Sequence, residues 1–147
     1  MKVLIDADGC PVVSIAIRIC TEYSLRCLLL CDTAHEFQRA GAETYVLDKG
    51  ADSVDYALVN RVVSGDIVIT QDYGLASICL AKGARILHQD GWEYTEDNID
   101  ALLLVRHESR KYRACGGRTK GPGKRSRSQD KTFEDALRKM LQTTVQG

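Results

Sequence analysis

Asp6 and Asp8 stand two residues apart in LIDADGCP (4–11), where an apolar run ends and Gly9 and Pro11 turn the chain. Asp72 occupies the comparable place in VITQDYGLA, two residues after DIVIT (66–70), and Asp52 and Asp55 open the stretch DSVDYALVNRVVSG (52–65) that leads into that run. Carboxylates gathered from such distant segments repel one another, and a hard divalent cation removes that cost. Mg²⁺ or Mn²⁺ suits them, because these ions take oxygen ligands, keep several waters and are commonly shared between a few carboxylates and a phosphate. One ion lowers the pKa of water; two clamp an in-line displacement at phosphorus. Asp6, Asp8, Asp55 and Asp72 are therefore the candidate catalytic acids, and the same four with Asp52 are the candidate ligands for one or two ions. Each also has an ordinary use. Asp52 is a good N-cap, Asp55 gains from a first-turn helix dipole, and Asp8 can accept amides at the start of the first helix. Asp66 opens its strand, so a turn role at the opposite edge is expected. Asp6 and Asp72 are the hardest to explain by local structure.

The surrounding pattern supplies elements that could bring these acids together. KVLID (2–6), LRCLLLC (25–31), TYVLD (44–48), DIVIT (66–70) and ARILH (84–88) read as strands, several of them continuously apolar as in a buried parallel sheet. PVVSIAIRICTEYS (11–24), with Val13, Ile17 and Cys20 on one side, DSVDYALVNRVVSG (52–65) and YGLASICLAKG (73–83) read as helices, and HEFQRAG (35–41) as a short one. The alternation predicts an α/β fold: a mostly parallel sheet of four to five strands with helices on both faces. In such sheets sites form beyond the carboxyl ends of the strands, near the switch point of the strand order, which is where Asp6 and Asp72 fall. TEDNIDALLLVRHESRKY (95–112) is expected to be a capped helix and TFEDALRKMLQTTV (132–145) an amphipathic one. The length of 147 residues fits one domain, with a core over 1–112, a Gly-rich basic loop over 114–130 and a C-terminal helix over 131–145.

Charge is zero overall but unevenly placed. Residues 1–100 carry 16 acidic and 8 basic side chains, a net of −8, and residues 101–147 carry 4 and 12, a net of +8. Arg106, Arg110, Lys111 and Arg113 fall near the end of the penultimate helix and Arg118, Lys120, Lys124 and Arg125 in the loop, so a polyanion could be held sequence-independently through its phosphates. The bland alternative is a solvated tail against an acidic body. The six cysteines show no C-x-x-C pair, the three histidines no zinc spacing, and the first residues no secretory leader, so reduced thiols and a cytoplasmic location are expected. Cys27 and Cys31 would share a strand face as packing groups, and Cys10 is expected to pack as well. No apolar run is long enough to span a membrane. GRTKGPGK (117–124) fails as a P-loop, with one residue too many and Arg125 in place of Ser/Thr. CTEYSLR (20–26) has phosphatase-like spacing but runs from helix to strand, the wrong order for a phosphate cradle.

DADGCP, DSVD, SGDIVITQDYGLA, KGA and the later GG together resemble the YaiI/YqxD family of bacterial proteins over about Val3 to Met140, a family grouped with PIN-like nuclease domains. The resemblance implies a three-layer fold with three or four acids at the end of a parallel sheet, matching Asp6, Asp8, Asp52, Asp55 and Asp72. It also matches Thr70 to the small hydroxyl residue two positions before the last acid, which would face the nucleic acid. This chain departs in having Gly9 where Ala is usual, Gly74 where Pro is usual, and only aspartates mid-chain where the wider group often has a glutamate. The resulting expectation is a Mg²⁺- or Mn²⁺-dependent nuclease, with RNA favoured over DNA, no membrane and no identifiable protein partner; self-association is left open. Two alternatives stand beside it. LIDADG also resembles the start of HAD-like phosphatases, where Asp6 would be the nucleophile, with Thr33 and Lys49 as partners. The other is a non-catalytic RNA-binding or regulatory module.

Overall fold

The structure, a computed structural model, describes residues 1–32, 39–48, 53–114 and 124–146, the side chains of 106–114 and 144–146 excepted. The helix expected over 35–41, the partners Thr33 and Lys49, and the site candidates Asp52, Arg118 and Lys120 lie wholly or partly outside the described residues.

Six strands form one sheet: β1 (Lys2–Asp6), β2 (Arg26–Asp32), β3 (Glu43–Leu47), β4 (Ile67–Ile69), β5 (Arg85–Leu87) and β6 (Glu93–Tyr94), in the order β3-β2-β1-β4-β5-β6. All neighbours are parallel except β5 and β6. The α/β architecture is the one expected; the sheet gains β6, two residues long, too short for a periodic pattern to show. The other elements are α1 (Val13–Glu22), α2 (Ser53–Arg61), α3 (Tyr73–Ala81), α4 (Glu96–Ala114) and α5 (Arg127–Gln146).

Because side chains alternate across a strand, the sheet separates two apolar layers. Val3, Ile5, Cys27, Leu29, Cys31 and Ile69 pack with α1 and α5 on one face. Leu4, Leu28, Leu30, Val68 and Ile86 pack with α2, α3 and Ile99 of α4 on the other. Cys27 and Cys31 share the first of these layers, as their spacing requires, and Cys10, Cys20, Cys27 and Cys79 are free thiols. No described helix is long and apolar enough to cross a membrane.

Asp66 closes the sheet's amino edge. Its carboxylate accepts from the Lys2 amide at 3.1 Å, the Lys2 Nζ at 2.7 Å and the Val63 amide at 2.9 Å. Burial alone would raise its pKa, yet these donors outweigh burial and hold it below the usual carboxylate range.

Two boundaries differ from expectation. The helix read as 52–65 ends at Arg61, and the C-terminal helix begins at Arg127, inside the segment read as basic loop. The second difference has a local cause. Gln129 Oε1 accepts from the Ser126 amide at 2.7 Å while Ser126 Oγ accepts from the Gln129 amide at 3.4 Å, a reciprocal capping box written as S-x-x-Q.

Candidate functional site

The β1 carboxyl end runs straight into a tight turn. Ala7 donates to the Leu30 carbonyl at 3.0 Å, Cys10 donates back to Ala7 at 3.1 Å, and Gly9 takes φ +70°, where a side chain is strained. The turn leaves Asp6 and Asp8 at the sheet edge. β1 and β4 are adjacent although the chain visits β2 and β3 between them, so their ends define the switch point. The expected convergence of Asp6 and Asp72 is present: both line one cavity of about 380 Å³, together with Gln71 and Tyr73.

Thr70 joins the two acids. Its Oγ1 accepts from the Asp72 amide at 3.0 Å, which leaves the hydroxyl proton to be donated to Asp6 Oδ2, also at 3.0 Å. Tyr94, fully buried, donates its hydroxyl to the Thr70 carbonyl at 3.3 Å and fixes this strand end from behind. Asp6 is the perturbed group of the set. Burial pushes its carboxyl up to about 6, the Thr70 bond opposes that rise, and the charges of Asp55, Asp72 and Asp8 add to it. Among the described residues every charge that acts on it is another carboxylate.

The supporting acids are placed differently from one another. Asp72 Oδ1 accepts from the Gly74 and Leu75 amides at 2.9 and 3.2 Å, so this acid is the N-cap of α3. Asp8 accepts the Asp32 amide at 3.2 Å, so it ties β1 to the end of β2 and not to α1, whose start is capped by no side chain. Asp55 lies in the first turn of α2 and lines a second cavity of about 510 Å³ that also reaches Asp72. Cys10 is a packing group: burial raises its thiol to about 11.

Of the basic candidates, only Lys124 and Arg125 have described side chains. Arg106, Arg110, Lys111 and Arg113 belong to α4, and Lys124 is exposed. Arg125 is committed internally, to Asp90 at 2.9 Å, Asp130 at 2.5 Å and the Gln89 carbonyl at 2.7 Å, so its charge is neutralised within the fold. Arg125 thus clasps the β5–β6 turn to the start of α5. Gln71, Tyr73 and Tyr94 are site residues that the sequence reading did not single out. The first two were legible beside Asp72 in TQDY; Tyr94 is reached only through the sixth strand.

Oxygen donors of this kind fit Mg²⁺ or Mn²⁺. Among the described residues, however, no group of three or more His, Cys, Asp or Glu side chains could by itself hold a metal ion. Mg²⁺ commonly keeps several waters and takes only one or two carboxylates, so its binding does not require such a group.

Fold and site together define a small doubly wound α/β domain with acids at its switch point. The chain matches, over residues 4–143, the model of the family described as "Uncharacterized BCR, YaiI/YqxD family", and it belongs to that family. It is 51% identical over 141 residues to a "UPF0178 protein" of Exiguobacterium sibiricum, with 96% of each chain covered. The same name is carried by relatives from Natranaerobius thermophilus, 45% identical with 96% of each chain covered, and Clostridium acetobutylicum, 44% identical with 96% and 97% covered. No solved structure matches the chain.

Proposed function

We propose that the protein is a divalent-cation-dependent phosphodiesterase acting on nucleic acid, RNA before DNA, in the manner of PIN-like nucleases. The observation that carries the reading is the Asp6 carboxyl. It shares a cavity with Asp72 across the switch point and is raised to about 6 by burial and by three other aspartates. A group so crowded by like charge is relieved by a cation. When bound, that cation would supply acidified water and neutralise the phosphodiester. Asp6 and Asp72 would hold it, with Asp8 and Asp55 adding to the negative field. Thr70 acts as a positioning residue, since its hydroxyl keeps Asp6 in one rotamer and favours the ionised form.

That role yields a first expectation. Thr70→Val keeps the shape but deletes a bond that lowers the Asp6 pKa, so the acid limb of a pH–rate profile should move to higher pH, with activity reduced roughly 10–100-fold as for other outer partners of metal sites. Thr70→Ser should retain both. An unmoved acid limb in the valine variant would reject the positioning role.

The engagement of Asp8 and Asp72 with backbone amides favours one other reading, a module in which the acids hold loops and nucleic acid is bound without cleavage. Incubation with labelled single-stranded RNA and Mn²⁺ separates the two. Cleavage that chelation abolishes supports the nuclease; binding without cleavage supports the module.

A further inference from the structure

The larger cavity is a groove between α2 and α3, lined mostly by residues outside the acid cluster. Asp55 and Asp72 stand at the end facing Asp6, and one helical turn further on the lining becomes apolar, with Val59, Leu75 and Ile78 beside Tyr56. Tyr56 is 71% exposed and Ile78 49% exposed, so an aromatic and an aliphatic side chain are left in water inside a concavity. Both line one groove that opens from the acidic centre.

We infer that this groove is a nucleobase subsite, in which the base next to the phosphodiester held at Asp6 and Asp72 stacks on Tyr56 against Ile78. The inference rests on the reading of the acids as a phosphodiesterase centre. Continuity selects the occupant. Asp72 lines both cavities, so a diester lying over the smaller one must send a neighbouring nucleoside into the larger or into solvent. A volume of about 510 Å³ is in the range of small-ligand pockets. A planar base offers what the lining can use, a broad π-face for Tyr56 and apolar contact for Val59 and Ile78. Stacking of this kind accepts any base. It also demands that the base be unpaired, because a base held between two helices cannot remain in a duplex stack. The substrate class is therefore single-stranded nucleic acid, discriminated from duplex by the groove, with little sequence preference.

The test measures fluorescence anisotropy with the full chain in Mn²⁺. The probes are a labelled single-stranded oligouridylate with slowly cleaved phosphorothioate linkages, its duplex, and an abasic oligonucleotide of the same length. The wild type should bind the base-bearing strand about tenfold more tightly than the abasic or duplex probe. Tyr56→Ala should bring that ratio close to one, and Tyr56→Phe should preserve it. Equal binding of abasic and base-bearing strands by the wild type, or an unchanged ratio in Tyr56→Ala, would overturn the subsite. If RNA is still cleaved in a Mn²⁺-dependent way under that result, only the subsite falls. If the protein neither binds nor cleaves RNA, the phosphodiesterase reading falls with it.

Discussion

Asp6→Asn is expected to make the metal-free protein more stable at pH 7.5 and, at the same time, to abolish cleavage. The two effects share one cause. The folded state raises the Asp6 carboxyl from 3.8 to about 6, so it holds the proton more tightly than the unfolded chain does. Between roughly pH 4 and 6 the native state binds more protons, and stability must fall as pH rises through that window. Above it the full cost of a buried carboxylate among carboxylates is present, on the order of 2–3 kcal/mol at 1.36 kcal/mol per pKa unit. Asparagine keeps the shape and can still accept from Thr70, but carries no charge. The gain should thus appear at pH 7.5 and vanish near pH 4. Mn²⁺ should reverse the ranking, stabilising the wild type by mass action while leaving the variant unmoved. Cleavage should drop by more than the roughly 10–100-fold that outer partners of a metal site cost. Thermal melts at the two pH values, with and without Mn²⁺, check the first half, and an RNA cleavage assay the second. A variant less stable than wild type at pH 7.5 would mean that Asp6 is a structural acid.

The other large effect is expected at Phe133. α5 lays Phe133, Leu137, Met140 and Leu141 against α1 and the sheet at the spacing of one helix face, and Phe133 is fully buried. The polar links between the two helices, Arg18 to Glu134 and Arg138 to Glu22, are both at 2.6 Å but lie at the surface with partly exposed side chains, where ion pairs contribute little. Apolar burial must therefore hold α5 in place. Phe133→Ala should cost about 3–5 kcal/mol and lower the melting temperature by roughly 10 °C, whereas Arg18→Ala should cost under about 1 kcal/mol. Denaturant titration of both variants measures the difference. A Phe133→Ala loss no larger than that of Arg18→Ala would show that the ion pairs carry the docking.

Much of this was legible in the chain. β1, β2 and β4 are unbroken apolar runs, as strands buried on both faces must be, and α1 shows its buried side in Val13, Ile17 and Cys20. Convergence of Asp6 and Asp72 followed from topology, since Asp6 ends β1 and Asp72 follows β4, strands that the winding makes neighbours. What was not legible depended on partners distant in sequence. Asp8 faces β2 instead of α1 because the Asp32 amide lies across the strand pair. Asp72, with Asp6 one of the two acids hardest to explain locally, is a helix cap, a use that the amides of Gly74 and Leu75 make available two and three residues on. Arg125 looked like one cation among many; two acids and a carbonyl, brought beside it by the fold, take it up. Gly91 shows the same dependence. At φ +90°, an added Cβ would lie 2.8 Å from the Thr132 carbonyl oxygen, so the β5–β6 turn and α5 touch at a point no local pattern marks.

The central claim is that the switch-point carboxylates hold a cation, and a crystal grown with Mn²⁺ tests it directly through anomalous scattering. A peak is expected at the mouth of the cavity shared by Asp6 and Asp72, in direct contact with at least one of those carboxylates and otherwise surrounded by water. An empty edge at saturating Mn²⁺, or a peak bound only at some other acid such as Asp90 or Asp130, would contradict it.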